Sequence, residues 1–264
     1  MKNLFTFGCS HTNHNYPTWA NILGEQYENH YNLGRGGTGV FFSFYQIVNV
    51  IQNREKWNIT EDDAFVWLVT EENRQDFIMH SEPLSLGGFD WWTDNWYNNS
   101  QNWWTENYEK NMSSMDGLTK AHTHIYTIKE LLEKYNIKHK IILALHGSGY
   151  PASVNYDEYK KNINKIVGEY TDLQSIASSY PKDERHYYFL EDGKEKIDGH
   201  FQIPIHIKFL HKNIDWFEEK NIEKYIQIHN KCKSKRYSGH EIDKVVWGER
   251  NEVAYPPRWM DVEL

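Results

Sequence analysis

The fold of this 264-residue chain is decided first by its opening stretch, Leu4-Phe5-Thr6-Phe7-Gly8-Cys9-Ser10. Residues 4–7 form a short, largely apolar run that predicts a β-strand, and Gly8-Cys9-Ser10 predicts a tight turn directly after it. In open α/β sheets, ligands bind at the carboxyl ends of the strands. Ser10 therefore lies where a nucleophile is useful, provided that a base and oxyanion donors reach it from other segments.

Farther along the chain, apolar runs of strand length alternate with segments of helical spacing. The sequence predicts strands at 31–33, 64–69 and 140–145 and helices at 19–23, 40–51, 123–135 and 156–170. Such alternation is typical of a parallel sheet covered by helices on both faces. The residues therefore predict an α/β fold with a central parallel sheet.

Two regions depart from this alternation. From about residue 75 to 118 the alternation lapses, and Trp and Tyr residues crowd together among Asn and Asp. From residue 231 the chain is charged and then ends in Tyr255-Pro256-Pro257-Arg258-Trp259. We interpret 1–230 as one domain carrying an aromatic-rich insertion at about 75–118, and 231–264 as a C-terminal extension. The insertion has three open interpretations: satellite core, a lid whose rings stack on sugars, or an interface with another chain.

The composition bounds the class of protein. The net charge of −8 and the lack of a basic stripe argue against nucleic-acid binding. No apolar run approaches the roughly 20 residues of a membrane span, and 2 cysteines do not form a disulfide framework. The N-terminal residues lack the apolar core of a signal peptide. We therefore expect a protein that is cytoplasmic when synthesised and that uses neither a cofactor nor a metal.

Three later segments supply what a serine hydrolase needs. Asn32-Leu33-Gly34-Arg35-Gly36-Gly37 is a turn whose glycines let backbone N–H groups approach a ligand. Trp67-Leu68-Val69-Thr70-Glu71-Glu72-Asn73-Arg74 is a strand end that brings polar side chains to the same sheet edge. Asp198-Gly199-His200-Phe201-Gln202-Ile203-Pro204-Ile205-His206 supplies a carboxylate and imidazoles and opens a helix. Together with Ser10, these segments predict nucleophilic catalysis.

The four segments, in this order, resemble the SGNH (GDSL-like) hydrolase family, and more narrowly its phage and bacterial branch that begins Gly-Cys-Ser-Phe-Thr. The positions that match are Gly8, Cys9, Ser10, Thr12, Trp19, Leu23, Asn32, Gly34, Gly36, Gly37, Thr70, Arg74, Asp198, His200 and His206. The resemblance spans residues 1 to about 215, except for the insertion. It implies a flavodoxin-like three-layer α/β/α sandwich.

The resemblance also implies a Ser–His–Asp arrangement. Ser10 is expected to attack an ester carbonyl, while His200 takes its proton and passes it to the leaving alcohol. Asp198 is expected to hold the imidazole of His200 in the correct tautomer. The N–H groups of Ser10 and Gly37 are expected to bind the oxyanion, and losing one such donor typically costs about 3–4 kcal/mol of transition-state stabilisation.

The sequence departs from the family pattern at several of these positions. The third segment has Thr70 where the family has an Asn whose amide is an oxyanion donor, so the Thr70 hydroxyl or Arg74 is the expected substitute. The spacing from Asp198 to the histidine is two residues, against three in the broader family. Asp192 and Glu195 are therefore kept as alternative carboxylate partners of the base.

Structural interpretations stay open beside the catalytic ones. Ser10 is also a suitable cap for the first helix, and Arg74 is suited to pairing with a carboxylate or a helix end. His206 is expected to order its loop. Cys9 precedes the serine and is expected to point into the fold, which argues against a thiol nucleophile.

Three hypotheses about function follow from the sequence. The first is a serine esterase that removes acetyl or other small acyl groups from a carbohydrate-like substrate. The second is a catalytically inactive structural or adaptor protein of SGNH fold, such as a phage virion component, assembling with itself or a virion through the insertion or extension. The third is a nucleotide-binding domain that uses the glycines of 34–39, but this loop lacks the Lys-Ser/Thr of a P-loop.

Overall fold

The computed structural model describes residues 2–70, 75–79, 82–86, 114–144, 156–191 and 194–234. The strands are β1 (Asn3–Phe7), β2 (Asn29–Asn32), β3 (Ala64–Val69), β4 (Gln75–Met79), β5 (Glu82–Leu86), β6 (Lys138–Leu143), β7 (His186–Glu191) and β8 (Lys194–Phe201). The α-helices are α1 (Trp19–Gly24), α2 (Val40–Gln52), α3 (Ser114–Lys134), α4 (Tyr156–Val167), α5 (Leu173–Ser178), α6 (Ile203–Asn213) and α7 (Ile222–Ser234), and a 3₁₀ turn covers Lys182–Glu184.

Within the described residues, the central sheet has four parallel strands in the order β2-β1-β3-β6. Strand β1 pairs with β2 on one side and with β3 on the other, so the strand order reverses between β1 and β3. The pairing aligns Phe7 with Trp67. The segments that begin at Gly8 and Thr70 therefore meet at one edge of the sheet, at the switch point where open α/β sheets bind ligands.

The side chains of the sheet alternate between two buried faces. Leu4 and Val66 belong to a core that includes residues of α1, α5, α6 and α7. Phe5 and Phe65 belong to a second core that includes residues of α2, α3 and α4. Helices therefore cover both faces of a parallel sheet, and the predicted three-layer α/β/α sandwich is confirmed.

Predicted elements are present with shifted ends. The strand predicted at 64–69 has the predicted bounds, whereas the strand predicted at 140–145 occupies Lys138–Leu143. The helix predicted from residue 123 begins at Ser114. Apolar periodicity marks the buried middle of an element better than its polar ends, which explains these shifts.

Two antiparallel hairpins, β4–β5 and β7–β8, lie outside the predicted alternation. The first falls at the start of the aromatic-rich region, whose residues 87–113 lie outside the described part of the chain. The boundary predicted at residue 230 falls within α7, and residues 235–264 of the predicted extension also lie outside that part. None of the described helices combines the length and the apolar character that crossing a bilayer requires.

Strand β4 anchors the glycine-rich turn that precedes α2. The N-cap of α2 is Gly39, which has no side-chain oxygen to bind the first N–H groups of the helix. The carboxylate of Asp76 in β4 does this instead, accepting hydrogen bonds from the N–H of Gly39 at 2.7 Å and of Phe42 at 2.7 Å. Strand β4 therefore fixes the C-terminal end of the turn at 34–39.

Candidate active site

Ser10 lies in a tight turn directly after β1. The carbonyl of Cys9 accepts hydrogen bonds from the N–H groups of Thr12 at 2.9 Å and Asn13 at 3.2 Å, which form a single helix-like turn. Ser10 is half-buried, and no described residue accepts a hydrogen bond from its N–H. The first N–H groups of such a turn have no internal partner, so they can stabilise negative charge. The Cys9 side chain is buried in the core.

Gly8 is the residue that allows this turn to leave the sheet. Its φ of 147° lies in a region that L-residues rarely adopt. A Cβ here would collide with the Oγ1 of Thr12 and lie 2.7 Å from the carbonyl oxygen of Leu68 on the neighbouring strand. The turn carrying Ser10 therefore packs against the end of β3 in a way that only glycine permits.

Hydrogen bonds join the Ser10 turn to the glycine-rich turn after β2. The side chain of Asn32 donates to the carbonyl of Thr12 at 3.0 Å and accepts from the N–H of Gly34 at 3.1 Å. Asn13 donates in return to the carbonyl of Gly34 at 2.9 Å. The two asparagines fix the separation of the turns, and they explain why Asn precedes the glycines in this sequence.

The glycines of the second turn lie close to Ser10. The N–H of Arg35 donates to the carbonyl of Gly8 at 2.9 Å, and a Cβ on Gly36 would lie 3.6 Å from the Cβ of Ser10. Gly37 has a φ of 78°, and within the described chain its N–H has no acceptor. The N–H groups of Ser10 and Gly37 thus belong to adjacent turns.

The third segment is described only as far as its first polar residue. Thr70 directly follows β3, which pairs with β1, and its side chain is buried. Arg74, the other predicted side-chain donor, lies outside the described residues.

Asp198 and His200 lie near the end of β8, and the helix that this segment predicts, α6, begins three residues after His200. The pairing of β7 with β8 shifts register between His186 and Tyr188, and residues 198–200 bulge from the ladder. The backbone N–H and carbonyl of His200 form hydrogen bonds with side chains. Asp198 Oδ1 accepts from its N–H at 2.8 Å, and Nδ1 of His186 lies 3.0 Å from its carbonyl oxygen.

The bulge brings the carboxylate of Asp198 against the imidazole of His200. Nδ1 of His200 lies 2.7 Å from Oδ1 of Asp198. A carboxylate accepts at this contact, so Nδ1 carries the proton and Nε2 is left with a free lone pair. This is the tautomer that a histidine needs to act as a general base.

His14 is a third member of this group that the sequence interpretation missed. Its Nε2 lies 3.2 Å from Oδ2 of Asp198, and its ring stacks on the ring of His200 with centroids 3.7 Å apart. The side chains are 17% exposed for His14 and 15% exposed for both Asp198 and His200. His14 and Asp198 are separated by 184 positions in the chain, so no local pattern could have joined them.

The charges in this group follow from its contacts. Burial by itself would raise the pKa of Asp198, but hydrogen bonds from His14 and His200 outweigh it and hold that pKa far below its usual range. Burial lowers the pKa of His200, the contact with Asp198 opposes this effect, and positive charge on His14 or His186 lowers it further. The carboxylate is therefore ionised, and the imidazole is biased toward its neutral, basic form.

Two more histidines lie near His200. The ring of His11, next to Ser10 in the chain, has its centroid 5.0 Å from that of His200 and 5.4 Å from that of Phe201. His206 is fully buried in α6, and burial, with positive charge on His200 and His14, lowers its pKa to about 3. His206 therefore acts as a neutral core residue rather than as a base.

Ser10 and His200 belong to neighbouring segments without a direct hydrogen bond between them in the described chain. The contact between the two segments runs through His11 and His14, both within four residues of Ser10. Catalytic hydrogen bonds are often long before substrate binds and shorten in the complex. The Ser10 turn and the segment that carries His200 therefore lie side by side.

The alternative carboxylates are placed differently. Glu195 is exposed near the tip of the β7–β8 hairpin, where it pairs in register with Leu190. Asp192 lies outside the described residues. Asp198 is the carboxylate that touches the imidazole of His200.

In the described part of the chain, the side chains of His14, Asp198 and His200 are the group whose ligand atoms are close enough together to hold a metal ion. One ligand atom each from His14, Asp198 and His200 lies within 4.8 Å of the others. The two rings are stacked at an angle of 27°, and one nitrogen of each already lies within hydrogen-bonding distance of a different oxygen of the carboxylate, at 3.2 Å for His14 and 2.7 Å for His200. This geometry suits two hydrogen bonds to a carboxylate better than tetrahedral coordination.

Comparison with solved structures finds similarity, whereas the two sequence comparisons find none. No protein-family model matches the sequence, and no curated protein matches it. A solved structure of a member of the lipolytic protein G-D-S-L family from Veillonella parvula DSM 2008 is similar, with 13% sequence identity and a TM-score of 0.41. The match covers 82% of this chain and 98% of that chain. At this degree of similarity, nothing about the chemistry of this chain follows from it.

Proposed function

We propose that the chain is a serine ester hydrolase of the SGNH type, with Ser10 as nucleophile, His200 as general base and Asp198 as its orienting carboxylate. The observation that carries the proposal is the 2.7 Å contact between Asp198 and Nδ1 of His200, on a segment that faces the Ser10 turn. It leaves Nε2 of His200 as the basic nitrogen, in the tautomer that proton transfer from a serine requires.

The reaction proceeds in two steps. Ser10 Oγ attacks the ester carbonyl as Nε2 of His200 takes the hydroxyl proton, and the N–H groups of Ser10 and Gly37 bind the oxyanion. The tetrahedral intermediate expels the alcohol, which receives the proton from His200. Water then attacks the acyl-serine and gives a proton to His200. The second tetrahedral intermediate releases the carboxylic acid as His200 returns that proton to Ser10 Oγ, which restores both residues.

We propose acetyl or another small acyl group on a carbohydrate-like alcohol as the substrate. This part rests on the resemblance and on the Trp- and Tyr-rich region at about 75–118. Sugar rings stack on aromatic side chains, so a segment of this composition is suited to holding the alcohol part of the ester.

Hydrolysis of 4-nitrophenyl esters tests the proposal. The wild-type protein is expected to cleave the acetate faster than the octanoate, and to release acetate from a peracetylated sugar. Ser10→Ala is expected to reduce cleavage to background, whereas the matched control Ser178→Ala, on the exposed side of α5, keeps the wild-type rate. A folded wild-type protein that cleaves none of these esters above background would contradict the proposal and favour the inactive structural or adaptor protein of the same fold. Cleavage above background that is equally fast in Ser10→Ala would reject Ser10 as the nucleophile.

A further inference from the structure

We propose that His14 is a positioning residue of this active site, which holds the second carboxylate oxygen of Asp198 and braces the ring of His200. The proposal rests on the proposed hydrolase function, and it gives a role to a residue outside the Ser–His–Asp set. Its basis is the arrangement of the three side chains.

The two oxygens of Asp198 have different partners. Oδ1 accepts from the backbone N–H of His200 at 2.8 Å and from its Nδ1 at 2.7 Å. Oδ2 accepts from Nε2 of His14 at 3.2 Å. A carboxylate that is held by donors on both oxygens cannot rotate freely about its Cβ–Cγ bond. His14 therefore fixes the plane of the group that orients the base.

The ring of His14 also supports the ring of His200 from one side. The rings of His14 and His200 stack with centroids 3.7 Å apart. The ring of His14 also packs edge-on against the ring of Tyr16, with centroids 4.6 Å apart and an interplanar angle of 89°. Tyr16 is completely buried. The base is thus connected through His14 to a rigid part of the core, and such preorganisation preserves reactive geometry.

His14 also belongs to the titratable groups around His200 that influence its protonation. The titratable groups that face His200 are Asp198 on its own strand, His11 and His14 after β1, His186 on β7, and His206 on α6. Asp198 is the one anion of this set, and any positive charge on the histidines disfavours protonation of His200. Positive charge on His14 would lower the pKa of His200, and His14 also donates to Asp198, so removing His14 makes His200 easier to protonate.

Two variants separate the contributions of His14. His14→Phe keeps an aromatic ring for stacking but has neither a donor nor a charge. His14→Gln keeps an N–H donor for Asp198 but has neither the ring nor the charge. His211→Gln, at an exposed histidine near the end of α6, is the matched control.

The decisive measurement is an NMR pH titration of the His200 imidazole, assigned by its absence from the spectrum of His200→Gln. Both His14 variants are expected to move the titration midpoint of His200 to higher pH, with no movement in His211→Gln. For ester cleavage, His14→Phe is expected to lower kcat by about tenfold to hundredfold with little change in KM, and His14→Gln to recover part of it.

The titration does not depend on turnover, so it distinguishes failure of the positioning role of His14 from failure of the hydrolase function. A folded His14→Phe and a folded His14→Gln that both titrate like the wild type would overturn the positioning role, whatever their rates. The other failure concerns the reaction. If the His200 midpoint shifts in the His14 variants but ester cleavage does not depend on Ser10, the contact of His14 with Asp198 and His200 is supported and the hydrolase function is rejected.

Discussion

Three N–H groups converge on the carboxylate of Asp198: the ring nitrogens of His14 and His200 and the backbone N–H of His200. Together they keep this half-buried carboxylate ionised although burial opposes its charge. An ionised acceptor at Nδ1 fixes which nitrogen of His200 carries the proton. At the residue scale, the proposed chemistry therefore depends on a charge that does not itself take part in bond making.

Asp198→Asn tests this dependence. The amide has nearly the same shape, but its NH₂ group can turn toward the imidazole and select the wrong tautomer of His200. We expect kcat for ester cleavage to fall by about 10³- to 10⁴-fold, with the protein still folded. Glu195→Gln, at an exposed carboxylate on the same strand, is the matched control and should keep the wild-type rate. A loss of less than tenfold in Asp198→Asn would show that another carboxylate orients the base.

The acid side of the pH profile should report His200. Burial lowers the pKa of this imidazole, and below that pKa the ring is protonated and cannot accept the serine proton. We therefore expect kcat/KM to fall on acidification with a midpoint below about 6.5, the value of an unperturbed histidine. A midpoint clearly above that value would contradict the described surroundings of His200.

At the scale of elements, the turn between β1 and α1 depends on Gly8. Any larger residue there meets an unfavourable φ of 147°, the Oγ1 of Thr12 and a carbonyl of β3. We expect Gly8→Ala to lower the free energy of unfolding by about 2–5 kcal/mol, measured by urea denaturation.

Gly168 offers a matched control for that substitution. It has a positive φ of 81° after α4, but a Cβ there would meet nothing within 4 Å. Gly168→Ala should therefore cost only the backbone strain, about 1 kcal/mol. Equal losses in the two variants would mean that the packing between the Ser10 turn and β3 is not as described.

The hairpin β7–β8 shows what the sequence could not predict about its elements. The central strands β1 and β3 are continuous buried runs, so their pattern alone predicts parallel strands. β8 is mostly exposed and charged, and its polar residues match no simple period. Its bulge depends on pairing with β7 rather than on local preference, so the sequence predicts the helix that follows but not the strand that carries Asp198 and His200.

At the scale of the whole molecule, the candidate site joins two distant parts of the chain. Ser10 and His14 follow the first strand, whereas Asp198 and His200 lie in the hairpin before α6. Tyr16 and Tyr187 meet at 4.9 Å behind the site, and the hydroxyl of Tyr187 lies 2.9 Å from Nδ1 of His229 in α7. The hairpin is thus docked by buried rings, outside the central sheet.

This arrangement also explains how much of the site could be predicted. Ser10, Gly37 and Thr70 follow strands that the sequence predicts, so a parallel sheet brings them to one edge. Asp198 and His200 could be chosen from their residue types and order, but their contact depends on a bulge. His14 could not be predicted, because its partner lies 184 positions away and the contact exists only once the hairpin docks.

Covalent labelling by a fluorophosphonate tests whether Ser10 is an activated nucleophile. The labelled protein is digested and the modified peptide is identified by mass spectrometry. We expect a label on Ser10 that is absent from Ser10→Ala and forms much more slowly in His200→Gln. A folded wild-type protein that stays unlabelled, or that carries the label on another serine, would contradict this expectation.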